Sequence, residues 1–307
     1  MKDFHTLPKI EDSISYVYLE HGRLEQDSLS LSFYDNKGGK IQIPVSSTCL
    51  IMLGPGSVVT HSAIKTCAEN GCLIGWCGEE MIRYYASGFG ETRKNHNLSR
   101  QAKLVSHPKA HEQIVYKMYQ KRFNELLPEN LTLKQIRGLE GVRVRDAYYN
   151  ASKTTGIVWN RRKYNPKKWD ESDPVNMALS VANSCLYGVC LSAIVSAGFS
   201  PGLGFIHKGT YLSFVYDIAD LYKTEITIPL SFELVKEGLI DLSRRVRLAC
   251  RDYFYKTRLL SRIIPDIFDV LSIDKALEEE IDRDNPEWMV CDLWEPDDEK
   301  VKGGQSW

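Results

Sequence analysis

Three side chains of types that bind metal ions lie close together in the stretch from Pro201 to Lys223: His207, Asp217 and Asp220. The two aspartates are three residues apart in an otherwise apolar run, Leu212 to Leu221, so they share one face if the run is helical. Two carboxylates on a buried face repel each other and are costly to desolvate unless a positive charge lies beside them. A divalent metal ion would supply that charge, and His207, set among glycines that loosen the backbone, is near enough to be a third ligand.

A fourth candidate ligand is Glu140, which lies between Gly138 and Gly141 in a segment with helical periodicity. Each glycine costs about 1 kcal/mol relative to alanine in a helix interior, and each allows something large to come close to the backbone. The alternative is a solvated glutamate that pairs with Arg137 or Arg143. Taken together with the histidine and the two aspartates, Glu140 is better explained as part of one catalytic metal site.

The charge around Glu140 is strongly unbalanced, although the net charge of the whole chain is only -1. Between residues 134 and 168 the acids are Glu140 and Asp146 alone, and aromatic residues alternate with the basic ones. Basic side chains neutralise phosphates and exposed aromatic rings stack on unpaired bases, so the pattern favours a nucleic-acid strand with a splayed end. The alternative for each basic set is a solvated helix face. The first set is Lys134, Arg137, Arg143, Arg145, Lys153, Arg161, Arg162, Lys163, Lys167 and Lys168, and the second is Arg244, Arg245, Arg247, Arg251, Lys256, Arg258 and Arg262.

Composition is that of a soluble globular protein, with 307 residues, 43% hydrophobic and 26% charged. We find no run expected to span a bilayer and no secretory signal at the N-terminus. Eight cysteines scattered through apolar segments favour reduced thiols and a cytoplasmic location. Cys67, Cys72 and Cys77 could be imagined as a zinc site, but their spacing differs from that of zinc knuckles and favours core packing.

The pattern predicts a two-domain α+β protein, with a small N-terminal β-sandwich-like domain followed by a larger all-α catalytic domain. We place the β-domain at 1–86, a linker at 87–97, the helical domain at 98–277 and an acidic, flexible tail at 278–307. Predicted strands are 16–19, 29–33, 41–43, 50–53, 73–76 and 81–86. Predicted helices are 61–69, 98–126 with a possible kink at Pro108, 132–152, 178–197, 212–221, 228–236 and 242–271.

Several stretches then resemble one known family, the CRISPR-associated spacer-acquisition integrases (Cas1), in the form that accompanies type I-E systems. They are RGLEG, WNRRKYNPKKW, NSCLYGV, GFIHKG with LSFVYDIADLYK, and RLACRDYF, with IPVSS, LIMLGPG and RYYASG upstream. The resemblance runs in order from about residue 12 to 270. Val58 departs from it, since the resemblance leads us to expect arginine there, and so does the acidic tail.

The resemblance implies a metal-binding glutamate, histidine and aspartate at Glu140, His207 and Asp220, with Asp217 as a second acid of the same site. It implies a homodimer that assembles with a dimer of a second CRISPR-associated protein, Cas2. It also implies DNA with splayed or single-stranded 3′ ends and CRISPR repeat DNA as substrates. The residues it places at the splayed DNA end or at DNA and partner contacts are Tyr164, Trp169, Tyr187, Tyr216, Lys208 and Arg83.

The reaction implied is phosphoryl transfer, in which a 3′-hydroxyl of the incoming DNA attacks a phosphodiester of the repeat with Mg²⁺ or Mn²⁺ as cofactor. Asp217 either binds the metal or orients His207. Two alternatives stay open from the residues alone: a metal-dependent endonuclease that uses water as nucleophile, and a non-catalytic DNA-binding module whose carboxylates are structural.

Overall fold

A computed structural model describes residues 15–28, 30–79, 84–88, 95–123, 125–128, 130–161, 173–273, 292–293 and 301–302. Strands dominate the N-terminal part and helices the remainder, which confirms the predicted α+β fold class. The predictions for Arg83 and for most of the acidic tail lie outside the described residues. Within the tail, residues Asp292–Leu293 and Val301–Lys302 form a two-residue antiparallel pair.

The N-terminal part contains two four-stranded sheets. Its strands are β1 (Val17–Leu19), β2 (Gly22–Asp27), β3 (Ser30–Asp35), β4 (Lys40–Ile43), β5 (Leu50–Leu53), β6 (Ser57–Val59), β7 (Leu73–Cys77) and β8 (Tyr84–Ser87). One sheet has the order β1-β5-β7-β8 and the other β4-β3-β2-β6. Helix α1 (His61–Glu69), capped by Thr60, packs against β2 and β7 and so contacts both sheets. Leu31 and Phe33 of β3 are buried in the core between these elements.

The opposite face of the first sheet packs on the helical part, so the two predicted domains share one continuous core. Leu50 and Met52 of β5 lie beside Gly188, where an added Cβ would meet Leu50 Cδ2 at 3.0 Å. Cys49 and Ser192 form a buried contact of 3.0 Å across the same boundary. The predicted boundary near residue 87 therefore marks a change of secondary structure inside a shared core.

The helical part has α2 (His96–Ser106), α3 (Pro108–Arg122), α4 (Leu133–Thr155), α5 (Pro174–Ser196), α6 (Ser213–Ala219), α7 (Thr227–Glu237), α8 (Leu242–Lys256) and α9 (Leu259–Val270). The expected helix over 98–126 is broken at His107, because the residue before a proline is disfavoured in the helical region. The single helix predicted over 242–271 is wrong. It is two helices, because Arg258 adopts the left-handed conformation with φ of +48°.

Helix α5 is the centre of the helical part, with α6, α7, α8 and α9 packed around it. By length and hydropathy α5 is able to span a membrane, contrary to the expectation that no run is long enough. In this structure 83% of the most apolar 18-residue segment of α5 is buried inside the protein, so its hydrophobicity is that of a core helix.

All seven cysteines of the described residues are buried and free, among them Cys67, Cys72 and Cys77. Cys67 and Cys72 belong to the apolar cluster of the second sheet and Cys77 to the core shared with the helices, so the row of cysteines packs as core.

Candidate catalytic site

Asp217 fastens the glycine-rich loop that carries His207. It is fully buried, and its Oδ2 accepts the backbone N–H groups of Phe205 at 2.6 Å and Ile206 at 3.1 Å. Its Oδ1 accepts the backbone N–H of His207 at 2.9 Å and pairs with Nδ1 of the same residue at 2.8 Å. These four contacts use the hydrogen-bonding capacity of the carboxylate. The geometry therefore favours the alternative in which Asp217 orients His207.

His207 is held with its second nitrogen turned toward Asp220. Because the Asp217 carboxylate only accepts, Nδ1 carries the proton and Nε2 presents its lone pair in the neutral ring. His207 Nε2 lies 3.8 Å from Asp220 Oδ2, and the His207 side chain is 41% exposed. The Tyr216 ring meets the imidazole edge-on, with 5.8 Å between the ring centres. The Tyr187 ring packs in turn against the Tyr216 ring, with 4.9 Å between their centres. The loop thus exposes one imidazole nitrogen beside a carboxylate and two aromatic rings.

Asp220 ends α6 instead of continuing it, since the helix stops at Ala219. Its Oδ1 lies 2.6 Å from Lys223 Nζ, and its Oδ2 lies 3.6 Å from Arg122 Nη2. Burial alone would raise the pKa of Asp220, but the Lys223 and Arg122 cations outweigh it and hold that pKa below its usual value. Burial would likewise lower the pKa of Lys223, and the Asp220 charge raises it overall.

Glu140 projects from α4 into the same place. Helix α4 begins with a capping box between Thr132 and Gln135 and buries few side chains. The Glu140 side chain is only 13% exposed, so it is among the inward-turned residues of the helix. Arg143, one turn later, donates from Nε to Glu140 Oε2 at 2.7 Å and from Nη2 to Oε1 at 3.0 Å. Arg122 Nη1 donates to Glu140 Oε1 at 3.3 Å.

Arg122, the last residue of α3, lies between Glu140 and Asp220. Its guanidinium contacts both carboxylates, its side chain is 4% exposed, and it stands 5.1 Å from the centre of the Tyr119 ring. The structure therefore brings Glu140, His207 and Asp220 together from three separate elements, as the sequence predicted, with Asp217 behind His207. Sequence reasoning missed Arg122 and Lys223.

Carboxylate oxygens and an imidazole nitrogen are suitable ligands for Mg²⁺ or Mn²⁺, so the residue types around Arg122 fit such an ion. In the described part of the chain, however, no three of these side chains lie close enough together to hold a metal ion in their present positions. The guanidinium of Arg122 contacts the two carboxylates that the ion would join. The donor set thus fits a divalent ion in kind, while the position between its acids is shared with a side-chain cation.

The basic residues predicted to bind DNA fall into different environments. On α4, Arg137 and Arg145 are exposed, whereas Arg143 is turned toward Glu140. Lys208, next to His207, is exposed, and so is Arg161. The remaining members of this set, Arg162, Lys163, Tyr164 and Trp169, lie outside the described residues.

The arginines of α8 do not form one surface. Arg244 is exposed, whereas Arg245 donates to the carbonyl of Gly238 at 2.7 Å and so ties α8 to the end of α7. Arg247 is buried, with its guanidinium 4.6 Å from the centre of the Tyr18 ring, where α8 meets the first sheet. Its position corrects the expectation that Arg247 binds DNA, because a side chain enclosed by β1 and α8 has no free surface to offer.

Comparison with known proteins finds relatives in one family. The family model described as CRISPR associated protein Cas1 matches residues 116–247, which include all the side chains gathered around Arg122. The chain is 44% identical to CRISPR-associated endonuclease Cas1 2 of Thermus thermophilus over 303 residues, 99% of this chain and 93% of that protein. It is 41% identical to CRISPR-associated endonuclease Cas1 of Escherichia coli over 263 residues, 86% of each chain.

Solved structures show the same likeness. The crystal structure of a TtCas1–DNA complex superposes with a TM-score of 0.81 at 43% identity, over 95% of this chain and 100% of that one. A casposase bound to an integration product has a TM-score of 0.65 at 14% identity, over 85% of this chain and 91% of that one, which shows a shared fold alone.

Proposed function

Because the chain belongs to the CRISPR-associated Cas1 family, we propose that it is a DNA endonuclease and integrase of CRISPR adaptation, which joins the 3′-hydroxyl ends of prespacer DNA to the CRISPR repeat. The observation that carries the proposal is that Glu140 and Asp220 both contact the Arg122 cation, while His207 Nε2 lies 3.8 Å from the same Asp220. Phosphoryl transfer needs positive charge held against the phosphate and little other chemistry from the protein.

In this proposal Glu140, His207 Nε2 and Asp220 hold Mg²⁺ or Mn²⁺. The ion, when bound, lowers the pKa of the attacking 3′-hydroxyl and stabilises negative charge on the phosphate oxygens. Asp217 keeps the proton on His207 Nδ1, so that Nε2 stays available as a ligand. Arg143 fixes Glu140 through two hydrogen bonds.

In this proposal the DNA reaches the site across exposed basic side chains of α4 and of the loop that carries His207. Arg137 and Arg145 of α4 and Lys208 beside His207 provide charge for phosphates, which positions a strand without reading its sequence. Tyr216 beside the imidazole, and Tyr187 packed against Tyr216, give aromatic surfaces for an unpaired end. A relative at 43% identity was solved as a DNA complex, which supports DNA as the ligand of this surface.

The assembly in this proposal is a homodimer bound to Cas2 in the cytoplasm. Exposed apolar side chains on the second sheet, Ile41 and Val58, support the β-part as the protein-binding region. Light scattering of the chain alone, and then with Cas2, measures both associations. A chain that stays monomeric both alone and in the presence of Cas2 contradicts this assembly.

A plasmid assay tests the reaction. A labelled duplex with single-stranded 3′-hydroxyl ends is incubated with a supercoiled repeat plasmid and Mn²⁺, with Cas2 present or absent. Label joined to the plasmid supports the integrase, and Asp220→Ala abolishes the joining while DNA binding persists. Equal joining by Asp220→Ala and the parent removes the metal site from the proposal.

Two other functions remain candidates, each with a specific observation in its favour. The 41% exposure of the His207 side chain gives water access to the site, which favours an endonuclease that hydrolyses DNA. Plasmid that is cut without gaining label identifies it. The negative charges of Glu140 and Asp220 are neutralised by three side-chain cations, which favours a DNA-binding module whose carboxylates are structural. DNA affinity unaffected by chelator, without binding of divalent ions, identifies that module.

A further inference from the structure

The candidate site is electrically balanced by its own side chains. The three carboxylates of Glu140, Asp217 and Asp220 stand against the cations of Arg122, Arg143 and Lys223, so their formal charges cancel when His207 is neutral. A divalent ion added to this arrangement leaves the site with a charge of about +2, and like charges at short range oppose its entry.

The three cations are held unequally. Arg143 contacts Glu140 at 2.7 Å and Lys223 contacts Asp220 at 2.6 Å, which are the distances of strong charge-assisted hydrogen bonds. Arg122 meets the same acids only at 3.3 Å and 3.6 Å. Of the cations on these two carboxylates, Arg122 is the one that is most easily displaced.

The hydrogen bonding of Arg122 leads to the same conclusion. Its Nε and Nη2 are buried and have no hydrogen-bond partner among the described residues. A buried donor without a partner costs stability, so this guanidinium is held in place by charge, by the one hydrogen bond from Nη1 to Glu140 and by the Tyr119 ring, with its Nε and Nη2 donors unused. Unused N–H groups of a guanidinium match two oxygens of a phosphate.

We propose that Arg122 is a resident cation that competes with the divalent metal for Glu140 and Asp220 and yields that position to it when DNA phosphate is bound. The inference rests on the proposed function, because it takes the metal and the DNA from it. Free protein then binds metal weakly, a phosphate next to Arg122 draws the guanidinium away, and the metal and the DNA bind cooperatively. By linkage, the metal strengthens DNA binding by the same factor by which DNA strengthens metal binding.

The test measures binding, not turnover. Mn²⁺ affinity is determined by electron paramagnetic resonance for the parent and for Arg122→Met, without DNA and with a duplex whose 3′-deoxy overhangs cannot react. We expect DNA to tighten Mn²⁺ binding by the parent at least tenfold. In Arg122→Met we expect Mn²⁺ binding without DNA to be at least tenfold tighter than in the parent, and the additional effect of DNA to shrink to about threefold or less.

Two further variants keep the result interpretable. Lys121→Met removes the neighbouring charge on α3, which pairs with Asp266 and Asp269 away from the site, and should leave Mn²⁺ affinity within twofold of the parent. Arg122→Lys keeps the cation and should keep metal binding weak in the free protein. Glu140 and Asp220 each retain a cation in Arg122→Met, so we expect that variant to fold, and its circular-dichroism melt checks this.

The outcomes separate the inference from the function. Mn²⁺ affinity of folded Arg122→Met equal to that of the parent overturns the inference, even if the parent integrates DNA. Tighter Mn²⁺ binding by Arg122→Met, together with a parent that never joins DNA to the plasmid, supports the inference and counts against the integrase. Absence of Mn²⁺ binding by every variant, with DNA present, overturns both.

Discussion

Asp217 accepts a hydrogen bond from Nδ1 of His207 at 2.8 Å and one from the backbone N–H of the same residue at 2.9 Å. One carboxylate oxygen therefore fixes the position of the loop and the orientation of the ring together. The other oxygen accepts two further backbone N–H groups, so the buried charge is fully compensated.

The variant Asp217→Asn tests whether Asp217 acts by orienting His207 and its loop. An amide has one accepting oxygen where the carboxylate has two, so either the backbone N–H groups of Phe205 and Ile206 or the two donors of His207 face an NH2 group, and the loop and the ring lose their common anchor. We expect strand transfer to fall about 10- to 100-fold, as when the partner of a metal-binding histidine is removed, with DNA affinity changed less than threefold. Plasmid integration and nitrogen NMR of the imidazole measure the two effects. Asp269→Asn, the same change at an exposed acid, should alter neither; full activity of Asp217→Asn contradicts the orienting role.

Glu225 and Arg262 form a bidentate ion pair, with both nitrogen–oxygen distances 2.9 Å, that ties the turn before α7 to α9. Hydrogen bonding to Arg262 lowers the pKa of Glu225 below 4.5, so its contribution is present above about pH 4.5 and lost as the pH falls through the lowered value. Because both side chains are about two-fifths exposed, we expect Glu225→Gln to lower stability by only about 0.5 kcal/mol at pH 7. Thermal melts from pH 3 to 7 should show a difference of about 1 °C that disappears at the acid end. A difference in melting temperature between parent and Glu225→Gln that grows as the pH falls would contradict a stabilising ion pair between ionised Glu225 and Arg262.

Leu50 is 1% exposed in the core that β5 shares with α5. Leu50→Ala should destabilise the protein by about 2–5 kcal/mol, because it removes buried methyl groups and leaves a cavity. Since the sheet and the helices bury one another, we expect calorimetry to show a single transition that moves to lower temperature as a whole. Two transitions, with only the first one shifted, would mean that the β-part and the helical part unfold separately.

The sequence was sufficient to predict which side chains meet in the site where those residues are neighbours along the chain. His207, Asp217 and Asp220 belong to one loop and one short helix, so their spacing already indicated that they meet. Glu140 was added because it lies between Gly138 and Gly141 in a helical segment, and the structure brings it within contact of Arg122, which also meets Asp220. The metal itself remains a prediction.

The features that were missed depend on contacts between distant segments or on backbone strain. Arg122 ends α3, where a basic residue is ordinarily explained by the helix dipole, and nothing local indicates that its side chain turns inward. Arg258 breaks the last predicted helix in a conformation that arginine seldom adopts. Arg247 looked like one more surface charge, but the sheet covers it, and only the packing of β1 on α8 could reveal that.

Gly138 and Gly141 provide a last prediction, because the folded chain makes no use of their small size. Both lie on exposed parts of α4, and a Cβ built on either meets no atom within 4 Å. Alanine at both positions should therefore stabilise the helix by about 1–2 kcal/mol and raise the melting temperature by about 2–5 °C. If the glycines let a DNA backbone approach α4, the same double variant should bind DNA at least fivefold more weakly, measured by fluorescence anisotropy. Asn150→Ala, an exposed position further along the helix, should raise stability without weakening DNA binding. A stabilised double variant with unchanged DNA affinity would show that DNA does not approach this face of α4.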